Sequence, residues 1–169
     1  IAVEGERIYV DQSKNGFEIG VYDMNGNLQK LIKKDVPKIK FSDKHKQAAM
    51  EVLKNNSGVK NMGWENFKKV VKFTHQEYLP AIQDMTVHKG RIYVMTNTKE
   101  AGKVRYLVFD TDGKELTRYD LPQPIESDFG AKVFGRPGRF YKFYQGYYYY
   151  LVEDEEAESW ELHRSKLKQ

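Results

Sequence analysis

Cysteine is absent from these 169 residues. That excludes disulfides, thiol catalysis and cysteine-based zinc sites, and leaves the compartment open. Histidine is scarce. His45, His75, His88 and His163 are scattered without the spacing of metal ligands, so no metal site is read from them. No apolar run approaches the ~20 residues of a membrane span. Nor is there a Ser-His-Asp order, a glycine-rich phosphate loop or an HExxH helix, and so no catalytic residue is assigned and no cofactor is expected. Charge of one sign is also missing: 28 basic and 24 acidic residues are well mixed and leave a net charge of +4. Electrostatic nucleic-acid binding needs basic residues gathered on one surface, and none is expected here. The runs Lys30-Leu31-Ile32-Lys33-Lys34 and Lys68-Lys69 read as outer-strand or helix surface, and Glu153-Asp154-Glu155-Glu156 as a solvated loop.

What is present is strand pattern, most complete from Ala81 to Pro122. Ile82–Val87 is a first short run, ended by the turn His88-Lys89-Gly90. Arg91–Thr96 follows, with Ile92 and Val94 facing one way and Tyr93 the other. Asn97–Lys103 reads as a polar loop and Val104–Phe109 as a third run. Asp110-Thr111-Asp112-Gly113 reads as a hairpin turn, because aspartate accepts local backbone hydrogen bonds and glycine takes positive φ freely. Glu115–Leu121 is a fourth, more polar run stopped by Pro122.

The same order recurs on either side. Arg7-Ile8-Tyr9-Val10 repeats Arg91-Ile92-Tyr93-Val94, and the stretch Gly20–Leu28, with its Asp23-Met24-Asn25-Gly26 turn, repeats Leu107–Leu116. Tyr9 to Asp23 spans 14 positions and Tyr93 to Asp110 spans 17, the difference falling in the loop. A third copy gives three runs, Arg139–Phe143, Tyr147–Val152 and Ser159–Arg164, and lacks a fourth. The first copy begins with only Ile1-Ala2-Val3 before its turn, and there is no initiating methionine. The expectation is therefore a fragment, a cleaved product or the ordered part of a longer protein. The Asp-x-Asn/Asp-Gly turns resemble the start of a calcium loop, but position twelve is Lys34 in one and Leu121 in the other, so the pattern fails in both.

Between the first two copies lies an insertion, 35–76. Ser42 is placed to cap a helix, and His45, Ala49, Val52 and Leu53 fall on one face of it. Asn55-Asn56-Ser57-Gly58 ends that helix. Trp64, Phe67 and Val71 suggest a second, shorter helical stretch, although Val70–Phe73 also reads as extended.

Four-stranded antiparallel units repeating with such a hairpin follow the pattern of β-propeller blades. The stretch Glu77–Thr96 followed by Tyr106–Leu116 closely resembles the six-bladed propeller family of bacterial envelope proteins, and more loosely NHL-repeat propellers. The fold expected is all-β: a partial propeller of about three blades (1–34, 77–122 and 133–169) with a short helical insertion, matching the C-terminal half of such a ring. Either an N-terminal half or a second copy is expected to complete it. The resemblance implies a cell-envelope, periplasmic or extracellular location. It also implies ligand or protein binding at the face carrying the insertion, which would act as a partial lid. The alternative is a hydrolase or lyase whose active site is completed by missing blades. Candidate ligand-binding residues follow from position: Glu77 and Tyr78 before the inner strand of the central blade, and Arg136, Arg139 and Tyr141 before or within that of the last. The tyrosine-rich stretch Tyr141–Tyr150 is read first as packing between blades.

Overall fold

A computed structural model describes residues 1–13, 16–72, 74, 77–122, 140–154 and 159–168, with nothing described of the side chains at 153 and 154. Three antiparallel meanders account for the strands. Sheet 1 runs β1 (Ala2–Glu4), β2 (Arg7–Asp11), β3 (Phe17–Asp23) and β4 (Leu28–Lys34) in sequence order. Three helices follow: α1 (Asp43–Asn55), α2 (Ser57–Met62) and α3 (Trp64–Val70). Sheet 2 runs β5 (Asp84–His88), β6 (Arg91–Glu100), β7 (Lys103–Asp110) and β8 (Glu115–Pro122), and sheet 3 runs β9 (Tyr141–Tyr144), β10 (Tyr147–Asp154) and β11 (Ser159–Lys166). No described helix is long and apolar enough to cross a membrane.

The sheets stack face to face with sheet 2 in the middle, and strand alternation dictates that arrangement. Along β6, Ile92 and Val94 enter a core shared with Tyr9, Ile19, Val21 and Ile32 of sheet 1. Their neighbours Tyr93 and Met95 point the other way, into a core shared with Tyr141, Phe143 and Tyr148 of sheet 3. Because both faces of sheet 2 are covered, its two central strands are buried in nearly continuous runs, whereas burial alternates along β2 and β9 of the outer sheets. The first strands lie close together. The Gly90 N–H donates to the Glu4 carboxylate at 2.7 Å across sheets 1 and 2, and the Tyr141 hydroxyl donates to Asp84 at 2.7 Å across sheets 3 and 2.

Among the described residues, each outer sheet keeps an uncovered face. On sheet 1 the register sets Val3 beside Ile8, Tyr22 and Leu28, and Val10 beside Gly20 and Leu31, all directed away from sheet 2. On sheet 3 the equivalent face carries Tyr149 beside Arg164 and Leu151 beside Leu162.

The turns form as their residues require. Asp110 Oδ1 accepts the N–H groups of Asp112 and Lys114, each at 2.9 Å, and Asp23 Oδ1 does the same for Asn25 and Asn27. Lys89-Gly90 and Gln145-Gly146 both place two successive residues at positive φ, the geometry of tight hairpins that match strand twist.

Four sequence expectations need correction. Asn97–Lys103 is not a loop: β6 continues to Glu100 and turns at Ala101-Gly102. A register shift between Met95 and Lys99 absorbs the extra residues. His88 closes β5 rather than sitting in the turn, and its ring lies 5.8 Å from that of Tyr144. The insertion holds three helices rather than two. Asn56 ends α1 and its side chain then accepts the N–H groups of Gly58 and Val59, so one residue both stops a helix and caps the next. Glu153 and Asp154 belong to β10 rather than to a loop; Glu155 and Glu156 lie outside the described residues.

Candidate functional site

The chain leaves β4 and rejoins at β5 through two antiparallel legs. The Phe41 N–H donates to Glu77 O at 2.9 Å and the Leu79 N–H to Ile39 O at 2.8 Å, which sets Lys40 opposite Tyr78. This two-stranded neck carries the helices, which close on a small core of their own formed by Leu53, Val59 and Phe67. Ser42 caps α1 in a reciprocal arrangement with His45, as its sequence position predicts.

Against the neck lies a cleft of about 950 Å³. Its walls are the β2–β3 connection (Ser13, Gly16, Phe17, Glu18), the end of β4 with the first leg (Lys33–Ile39), the second leg (Glu77–Ala81), and Thr96–Thr98 of β6. Apolar groups from Phe17, Val36, Pro37, Leu79 and Pro80 alternate with polar ones. The lining lysines, 33, 34 and 38, are matched by Glu18, Asp35 and Glu77, so the cleft carries no excess of either charge. Lys33 pairs with Glu18 at 2.9 Å and Lys34 with Glu115. Asn97 ties the rim by donating its side-chain amide to Pro80 O at 2.7 Å.

The Lys38 ammonium stands 5.5 Å from the centre of the Tyr78 ring. The Tyr78 phenol is pushed above its ordinary range by hydrogen bonding to Glu77 and by that carboxylate's charge, and so remains protonated and able to donate. Glu77, Tyr78 and Lys38 thus present an acceptor, an aromatic surface and a cation side by side. Among the described lining residues there is no histidine, and no three metal-ligating side chains converge anywhere in the described residues.

Of the sequence candidates, Glu77 and Tyr78 meet in this cleft. Tyr141 does not. It sits in β9 against sheet 2, its hydroxyl spent on Asp84 and its ring edge-on to Tyr106 and Phe143, because strand alternation turns it inward. Arg136 and Arg139 lie outside the described residues, as does His75. The tyrosine run divides as alternation requires, Tyr148 and Tyr150 toward sheet 2 and Tyr147 and Tyr149 away. Among the described residues no helix side chain lines the cleft; the neck does. Lys38 and Asn97 escape the sequence reading, since the pairing of the two legs is a long-range contact with no local signal. Comparison with models of protein families, with characterised proteins and with solved structures finds no match to this chain.

Proposed function

We propose that the three sheets are blades of a propeller-type ring, completed by an N-terminal half or by a second copy, and that the chain is a non-enzymatic binding protein of the cell envelope. The ligand, a protein segment or a small molecule, sits in the cleft beside the neck. The cleft carries this reading: an open, charge-balanced concavity with apolar walls and a convergent acceptor, aromatic ring and cation suits recognition. The blade reading is supported by the sequence repeat, by the face-to-face stacking of successive meanders and by the approach of their first strands. The envelope location is supported by the resemblance of Glu77–Leu116 to envelope propellers.

The reading is tested by thermal-shift screening of the full chain against a library of short peptides and a library of soluble oligosaccharides, with hits measured by calorimetry. Tyr78→Ala and Lys38→Ala each weaken a true ligand about tenfold or more. Hits that bind both variants unchanged, or a full set of compounds without a hit, would sink it.

A further inference from the structure

The repeat assigns a role to the two uncovered faces. Ile92, Val94 and Phe109 of sheet 2 are almost wholly buried because sheet 1 lies on them. Their counterparts in sheet 1 by sequence and register are Ile8, Val10 and Tyr22, on the face left uncovered among the described residues. At the other end, Tyr93 and Met95 of sheet 2 are buried under sheet 3. The matching turns Lys89-Gly90 and Gln145-Gly146 make Tyr149 and Leu151 their counterparts, again on an uncovered face. Apolar side chains stand out on both: Leu28 is 50 % exposed on one, and Leu162 is 69 % exposed on the other. Both sheet interfaces among the described residues join a leading face to a trailing face of the repeat. One chain carries a spare of each.

We propose that the leading face of sheet 1 docks on the trailing face of sheet 3 of a second copy, so that two chains close on one another through two equivalent interfaces. Area favours closure over an open chain of copies. At ~4.8 Å between strands and ~3.3 Å per residue, the smaller of the two faces, the three strands of sheet 3, measures about 300 Å². One docking therefore buries about 600 Å², the range of crystal contacts, whereas two bury about 1,200 Å², the lower edge of stable interfaces. Closure of the rotation separates a ring from a filament. The proposal rests on reading the sheets as like members of a propeller-type stack, and not on what the cleft binds.

Sedimentation velocity of the full chain at micromolar concentration tests it. The expected species is a dimer of the 19.8 kDa chain. Ile8→Asp and Tyr149→Asp each set a charge against an apolar partner face and weaken the dimer by about 100-fold or more, with far-UV circular dichroism retained. If either variant misfolds, Leu28→Lys and Leu162→Lys, at sites exposed in the single chain, replace them. Mixing the leading-face and trailing-face variants gives a heterodimer with one intact interface, far weaker than the parent dimer but tighter than either variant's homodimer, in which both interfaces carry the charge. A monomeric parent chain overturns the proposal. So does a dimer indifferent to both variants, one broken by only one of them, or a mixture that associates no more tightly than the variants do alone. Tyr78→Ala lies outside both faces and leaves the dimer intact whatever it does to ligand binding, so failure of one reading is distinguishable from failure of the other.

Discussion

Gly26 and Gly113 occupy the same place in equivalent turns, at φ 83° and 81°, yet their surroundings differ. A Cβ at Gly26 meets nothing within 4 Å, while one at Gly113 comes 2.8 Å from Ile32 Cγ1, a stiff side chain in the core beneath. Gly26→Ala is therefore expected to cost only the left-handed backbone penalty, about 1 kcal/mol. Gly113→Ala adds overpacking of about 1–3 kcal/mol more, read from urea midpoints of the two variants. Among the described residues, three carboxylates are held below their ordinary values and contribute to acid stability. Hydrogen bonding to Arg105 holds Asp120 below its ordinary value, and hydrogen bonding to Asn27 does so for Asp23. Burial raises Glu115, but hydrogen bonds and charge from Arg118 and Lys34 outweigh it. With folded values below unfolded ones, the stabilisation is fully present above the unfolded values and is lost as pH falls through the folded ones. Urea midpoints should stay level down to about pH 5 and drop below about pH 4, and Asp120→Asn should shrink that drop. A drop that Asp120→Asn leaves untouched would remove the Arg105 pair from the account.

At the scale of elements, the insertion is the part most separable from the rest. Its helices close on Leu53, Val59 and Phe67, and the neck is held by two backbone hydrogen bonds between Ile39–Phe41 and Glu77–Leu79. Replacing residues 43–74 by a short Gly-Ser turn should leave the sheet signal in circular dichroism and the urea midpoint of the sheets within about 1 kcal/mol of the parent. Loss of the sheets would show that the helices brace them. The strands were legible because β-branched and aromatic runs bounded by Asp/Asn-Gly turns recur, Arg7–Val10 repeating Arg91–Val94 residue for residue. The extension of β6 through Asn97–Glu100 was not, because polar residues beyond a bulge look like loop until Lys99 is seen opposite Val104. Neither was α2, hidden because Asn56 both ends and begins a helix. The same limit governs the cleft. Glu77 and Tyr78 were found by position in the repeat, while Lys38 joins them only through the pairing of two distant legs.

Across the whole molecule, sheet 2 belongs to both cores, so neither core can dissolve alone without uncovering one of its faces. The sheets should unfold as one unit. The chain holds two tryptophans, Trp160 on β11 and Trp64 on α3, one in each separately packed part. With Trp64→Phe, fluorescence follows sheet 3 and should coincide with the later, sheet phase of the far-UV circular-dichroism curve, after the helices have melted. With Trp160→Phe, it follows the helical insertion and should change at lower urea, because the small helical core buries far less apolar surface than either sheet interface. Ile92→Ala removes packing on one side of sheet 2 and Tyr106→Ala on the other. Each should lower the Trp160 transition by about 2–5 kcal/mol and leave the Trp64 transition in place. If Ile92→Ala instead splits the Trp160 curve from the sheet phase of the circular-dichroism curve, sheet 1 melts away from sheets 2 and 3. The stack would then be a series of independently stable pairs, coupled no further than each interface.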